Sequence, residues 1–308
     1  MIFAARGVMV SLAFFAIVYS FLSLLLILLW RGWRSIVQAN VEAPNVLFWL
    51  RVLPFVVSAA TAVFLTFPSF LLLEAHSMDE DLGTFVLCLC SLLFLGGGLF
   101  RVIAAQARTR RAEAEWLEAA NRTEGSEPVP ATSAYPNPLP IMLAGIRNPR
   151  LLVSEAARAL LTVGELQAAV RHEVAHLRSC DNLKKAIFNL MPFPGMSSLE
   201  GAWQEAAELN ADLRAVSNRA EALDLASALV KLSRGYSQVA PALATGLVGV
   251  VESVAMRVER LLEWERSPKA IEHWRYVVPL AFAVVAFLAA NLGPALVVTH
   301  SLTERLVP

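Results

Sequence analysis

The chain has 308 residues, a formal net charge of zero, 56% hydrophobic residues and only 17% charged ones. That composition departs from a soluble globular protein and points to a membrane protein. A neutral balance without a basic, aromatic-interleaved stretch gives no footing for nucleic acid, and three cysteines, two of them inside an apolar run, do not make a disulfide framework.

Four uncharged runs predict four transmembrane helices: 7–30, 52–73, 82–100 and a last one from Tyr276 to Thr303. Each approaches or exceeds the ~20 residues a helix needs to cross a ~30 Å hydrocarbon core. The first is longer than the roughly 7 to 15 apolar residues of a signal peptide and has no cleavage pattern. Pro54 and Pro68 in the second and Pro279 and Pro294 in the fourth are tolerable in membrane helices, where neighbours re-satisfy the freed carbonyls. Gly96-Gly97-Gly98 in the third is expected to let another span approach closely. Arg31, Arg34 and Arg51 border the first connector, the second has acidic residues but no Lys or Arg, and Arg101, Arg108, Arg110 and Arg111 follow the third span. The positive-inside rule then makes 101–275 cytoplasmic and both termini extracytoplasmic.

The layout expected is three transmembrane helices in 1–105, a cytoplasmic domain in 106–275 with a Pro-rich linker at 121–140, and a fourth transmembrane helix with a short tail in 276–308. A polar helix continues the third span to about Asn121. Ile141 to Ile146 and Arg150 to Ser154 read as two strands joined at Asn148-Pro149. Ser154 precedes a helix, and Thr162 with Glu165 three residues on has the form of a capping box.

The helix behind that box carries His172-Glu173-Val174-Ala175-His176. Positions i and i+4 share a helix face, so both imidazoles can reach one ion, and Glu173 brings a carboxylate next to its water. The helix ends at Ser179-Cys180-Asp181-Asn182 or continues through Lys184 and Lys185 after an irregularity, and Met191-Pro192-Phe193-Pro194-Gly195 then breaks the chain. A second helical stretch, 199–220, contains Glu208 and Asp212 one turn apart: one carboxylate can bind the metal while the other orients an imidazole. Glu205 competes with Glu208 for the ligand role, and Cys180 is set aside as a ligand because a fourth protein donor would close the site to water. The segment 237–256 is read as a loop packing on the domain.

Together these residues resemble the integral-membrane zinc peptidases of the BlaR/MecR antirepressor type. Gly145 to Val153 is similar to that family's strand region, His172 to Asn182 to its catalytic segment, Glu208 to Asp212 to its third-ligand segment, and Arg257 to Leu262 more weakly to its final soluble helix. The resemblance implies a mainly α membrane protein of the bacterial inner membrane, with four transmembrane helices and a cytoplasmic α+β zincin-like metallopeptidase domain between the third and fourth. It departs from the β-lactam-responsive members, which carry a penicillin-binding domain after the fourth helix: here only His300 to Pro308 remains, and no Ser-x-x-Lys motif is present, so antibiotic sensing is not expected. Membrane peptidases that process prenylated or misfolded proteins share the two motifs with a different arrangement of spans.

The expected function is a zinc-dependent endopeptidase of cytoplasmic or membrane-associated proteins, with Zn2+ on His172, His176 and Glu208, Glu173 as general base, and Asp212 and Asp181 holding the imidazoles. Leu151, Leu152 and Val153 are candidates for pairing with an extended substrate. Tyr236, Arg257 and His273 are available electrophile types, for each of which a structural role is preferred. Expected partners are a protein or peptide substrate, the lipid bilayer, and a regulatory membrane partner or a second copy of the chain. The competing class is a non-catalytic membrane adaptor with a structural zinc.

Overall fold

The computed structural model describes residues 2–38, 44–73, 82–123, 141–146, 149–235, 244–246, 251–264 and 292–306. The Pro-rich stretch 124–140 and most of the fourth expected span lie outside the described residues. The described chain is mainly α-helical, and three helices are long and apolar enough to cross a membrane: Phe3–Gly32, Pro44–Leu73 and Leu82–Glu115.

These belong to α1 (Ile2–Gln38), α2 (Pro44–Thr61) with its continuation α3 (Phe67–Leu73), and α4 (Leu82–Thr123), which extends past the apolar run as its Ala-, Arg- and Glu-rich sequence predicts. Between α2 and α3 the helix takes a π turn, Ala62–Thr66. Pro68 has no N–H to offer the carbonyl four residues back, and the ladder shifts so that Phe67 N–H donates to Ala62 O, five residues back. Hydroxyls buried in this bundle mostly bond their own helix: Ser11 to Gly7 O, Ser58 to Pro54 O, Ser69 to Thr66 O. Such back-bonding removes the cost of placing them among apolar neighbours. Phe21, Leu72, Leu93 and Phe100 face outwards, a surface suited to hydrocarbon.

Residues 141–264 form a second unit: β1 (Ile141–Ala144), β2 (Arg150–Val153), α5 (Glu155–Leu160), α6 (Val163–Arg178), α7 (Asp181–Leu190), α8 (Ser197–Ala215), α9 (Arg219–Gly235), β3 (Ala244–Gly246) and α10 (Val251–Leu262). A last helix, α11 (Leu292–Leu306), packs against α3 and the π turn. The strands form an antiparallel sheet in the order β2-β1-β3, with Ile141 opposite Val153 and Leu143 opposite Thr245. Within 237–256 a loop was expected, whereas Ala244–Gly246 is a strand and α10 begins at Val251, because β1 offers a second backbone edge for the short segment to pair with. The stretch expected to be helical over 199–220 ends at Ala215, where Asn218 accepts the Glu221 N–H and starts α9.

The unit's core joins alanines 168, 169, 222, 226 and 228 with Leu225, Leu229 and Leu232, all on α6 and α9, to Ile141, Val254 and Leu261. The small residues let α6 and α9 approach, and each buried leucine contributes about 1.5–3 kcal/mol. A separate apolar cluster joins the unit to the bundle: Leu26 and Trp30 of α1 and Leu47, Phe48 and Val52 of α2 pack with Phe188, Met191, Leu199, Trp203 and Ala206.

The turn between α7 and α8 is seated in the mouth of the bundle. Arg51, fully buried on α2, donates from Nε to Glu200 Oε1 at 2.8 Å and from Nη2 to Met191 O, which also accepts from Tyr19 Oη. Trp30 Nε1 donates to Ser198 Oγ at 3.1 Å. Gly98 faces this turn and not another span: a methyl there would stand 2.1 Å from the Leu190 carbonyl oxygen, while Gly96 and Gly97 have open space. Gly195, at φ +88°, takes a left-handed conformation beside Ile27 that only glycine adopts without strain.

Candidate metal centre

Local chemistry fixes the start of α6. Thr162 Oγ1 accepts the Glu165 N–H and Glu165 Oε2 accepts the Thr162 N–H, the capping box legible in the sequence. The 3.6-residue repeat then puts His172 and His176 on the side of α6 that faces α8, both buried, with ring centroids 4.7 Å apart.

Each imidazole has a carboxylate at Nδ1. Cys180, at φ 55°, ends α6 and turns the chain into α7, bringing Asp181 Oδ2 to 2.7 Å from His176 Nδ1. On α8, Asp212 Oδ1 stands 2.8 Å from His172 Nδ1. Ionised carboxylates only accept, so each Nδ1 directs its proton towards its carboxylate, and Nε2 is the atom each imidazole would offer to an ion between the helices.

Glu208 faces that same space. Nε2 to Nε2 is 3.1 Å, His172 Nε2 to Glu208 Oε2 is 3.4 Å, and His176 Nε2 to Glu208 Oε1 is 3.6 Å. The two Glu208 distances run to different oxygens; with one donor atom taken from each residue, the three lie within 4.8 Å of one another, against about 3.3 Å between donors of a bound tetrahedral ion. The donor atoms of His172, His176 and Glu208 form a group that could hold a metal ion. The Glu208 side chain keeps 14% of its surface against 0% and 1% for the two imidazoles, while its Oε2, the oxygen nearer His172, is buried.

Electrostatics agree with a cation at this point. Burial alone would push the His176 pKa down, yet Glu208 and Asp181 outweigh it and raise it to about 10; His172 is raised in the same way by Asp212 and Glu208. Burial works against the charged carboxylates too, but His176 and Arg257 hold Glu208 well below its usual range, and Arg257 and His172 lower Asp212. Positive charge at the imidazole pair, carried by protons or by an ion, is what the four carboxylates Glu173, Asp181, Glu208 and Asp212 favour.

Arg257 completes the arrangement from α10. Nε and Nη2 grip Asp212 at 2.7 Å each, and Nη1 lies 3.0 Å from Glu208 Oε2. The structural role preferred for it from sequence fits these contacts to Asp212 and Glu208. The signal for its burial was in the sequence, since Val254, Arg257, Val258 and Leu261 lie on one stripe of α10. Lys185 on α7, which no sequence motif marks, also feels this group: burial lowers its pKa, opposed by Glu208, Asp181 and Glu173.

Glu173 is fully buried within this field. Glu205 is exposed on α8, leaving Glu208 as the carboxylate in the group that could hold a metal ion, and Cys180 is exposed outside it. Leu151, Leu152 and Val153 lie on β2, an edge of the described sheet, while β1 and β3 are the strands that pack on α6 and β3 also meets α7. Tyr236 and His273 fall outside the described residues. No protein-family model matches the chain, and no curated protein and no solved structure is significantly similar to it.

Proposed function

We propose that the chain is a membrane-embedded zinc-dependent endopeptidase that cleaves cytoplasmic or membrane-associated proteins, akin in its core to the antirepressor-type peptidases. The observation that carries this is the convergence of the His172 and His176 Nε2 atoms with the Glu208 carboxylate on one point, with Glu173 buried beside the first ligand. Two nitrogens and one carboxylate oxygen form the donor set of His2Glu catalytic zinc sites, which keep a fourth position open. The arginine asymmetry of the connectors supports a cytoplasmic placement of 106–275 as an α+β metallopeptidase domain between a third and a fourth span.

In this reading His172, His176 and Glu208 hold the ion, and Asp212 and Asp181 keep the imidazoles in the tautomer that offers Nε2. When bound, zinc supplies Lewis acidity that makes water a nucleophile near neutral pH. Glu173 takes the proton of the attacking water and returns it to the leaving amide nitrogen. Arg257 holds Asp212 and Glu208 in register, so α10 braces the ligand helix α8.

The test uses the full chain in detergent: zinc content, then cleavage of itself and of candidate cytoplasmic proteins, against Glu173→Gln. The expected result is one zinc per chain in both proteins and a loss of cleavage of about 10³-fold in the variant, within the range a general base contributes. Equal cleavage overturns the mechanism. A second reading, a signalling adaptor with structural zinc, draws on the burial of both imidazoles; zinc retention with full biological activity in Glu173→Gln would establish it instead.

A further inference from the structure

We propose that the first turn of α2 is a working part of the metal centre, with Lys184 as the positioning residue between the helical bundle and His176. The inference rests on the zinc reading above and assigns the bundle a role in metal binding.

Asn45, in the opening turn of α2, accepts from Lys184 Nζ at 2.9 Å. The same ammonium stands 3.5 Å from Asp181 Oδ1 and 5.7 Å from the centroid of the Phe48 ring, also on α2. Asp181 in turn takes His176 Nδ1 on its other oxygen, at 2.7 Å. Contacts thus run without a gap from a membrane-type helix to a metal ligand.

Each link restricts the next. A lysine alone is a point charge on a flexible four-carbon stem and holds a carboxylate in no fixed orientation. Asn45 and Phe48 give that ammonium two further contacts, so its position relative to Asp181 is set by α2. The side chains of Lys184 and Asp181 keep only 13% and 4% of their surface, which limits the water that can screen this pair, while the Asn45 contact on its far side is exposed to solvent. With one oxygen placed by Lys184, the Asp181 carboxylate presents the other in a defined plane, and the direction of the His176 Nε2 lone pair follows.

The same helix reaches the second half of the ligand set. Arg51, less than two turns after Asn45, bonds Glu200 on α8, the helix that bears Glu208. One bundle helix therefore braces α7 and α8, the two helices that frame the group opposite α6.

The test is zinc affinity, by competition with a chelating dye, of the full chain in detergent as wild type, Lys184→Met, Lys184→Arg, Asn45→Ala and Asn45→Ala/Lys184→Met. Replacing a group that directly orients a ligand costs about 10- to 100-fold in metal affinity; one step further out, we expect about fivefold for Lys184→Met and about twofold for Asn45→Ala. Lys184→Arg should stay within about twofold, and the double variant should be no weaker than Lys184→Met, since Asn45 acts through Lys184. Wild-type affinity in Lys184→Met, or losses that multiply in the double variant, overturn the inference while leaving the zinc site standing. A wild-type chain that takes up no zinc overturns both. Thermal midpoints of the zinc-free proteins separate a loss of orientation, which leaves them near wild type, from general loosening, which lowers all of them and also overturns the inference.

Discussion

The bundle and the unit at 141–264 treat buried polarity in opposite ways. In the bundle it is dispersed: single hydroxyls bonded mostly to their own helix, and one arginine at the mouth whose Nε and Nη2 bond the α7–α8 turn and Glu200 on α8. In the unit it is concentrated: His172, Glu173, His176, Asp181, Asp212 and Arg257 are buried together between α6, α7, α8 and α10, beside a core that is otherwise aliphatic. Burying that many charges in one place costs more folding stability than an apolar replacement would, so the cluster marks where the sequence holds something other than stability.

The most severe way to break this contrast is to remove the counter-charge. Arg257→Met would leave Asp212 and part of Glu208 buried without their cation, a loss of about 3–5 kcal/mol in the zinc-free chain, measurable as a fall in the thermal midpoint in detergent. Zinc should restore part of that loss by binding the folded state, so the gap between zinc-loaded and zinc-free midpoints should widen relative to wild type. A loss under about 1 kcal/mol would mean that the carboxylates are paired by something other than Arg257.

A smaller effect tests the junction between the two regions. Gly98→Ala forces a methyl against the Leu190 carbonyl and should cost about 1–3 kcal/mol, whereas Gly96→Ala and Gly97→Ala, facing open space, should be neutral or mildly stabilising. Three neighbouring glycines with one sensitive position would establish the seat of the α7–α8 turn. Equal effects at all three would deny that seat.

Acid sharpens the contrast from another side. Burial of Glu165 opposes its charge, but Lys231, Ser227 and the Thr162 N–H together lower its pKa from 4.5 to about 2. A carboxylate depressed on folding stabilises fully above its unfolded pKa, and the contribution fades as pH falls from about 4.5 to about 2. Lys231 is partly solvated, so the contribution is about 1–2 kcal/mol and not the full value of the shift. Denaturant titrations at pH 6 and pH 3 should show the wild type losing more stability between them than Lys231→Met does; parallel losses would remove Lys231 as the cause.

What could be read without coordinates follows from the range of each interaction. The His172/His176 pair and the Thr162/Glu165 box are spacings of three and four residues on one helix, and the apolar runs are contiguous, so each carries its geometry within itself. The choice between Glu205 and Glu208 turns on the rotation of α8 against α6, which the packing of Trp203, Ala206 and Leu209 on the bundle sets. Arg257 and Glu208 are far apart in sequence, and no local pattern pairs them. Gly98 was legible as a close approach, but its partner, a backbone carbonyl at the end of α7, has no sequence signature. The same holds for β3, three residues whose strand character comes from the edge that β1 offers.

The smallest effect bears on how α6 hands over to α7. Cys180 is the non-glycine residue at positive φ among those described, and the left-handed conformation costs an L-residue about 1–2 kcal/mol. Glycine would escape that cost but lose more freedom on folding, about 0.5–1 kcal/mol, so Cys180→Gly should gain only about 0.5 kcal/mol. Cys180→Val, β-branched, should lose about 1 kcal/mol or more, since a branched Cβ fits this region worst. Cys180 caps α7 one residue before Asp181, so the strain is stored beside the contact to His176. If the turn serves that contact, Cys180→Val should also bind zinc less tightly, while Cys180→Gly binds it as wild type does. A valine variant that loses stability but keeps its zinc affinity would show that Asp181 finds His176 whatever the turn does, and that α7 is held in place from the bundle side.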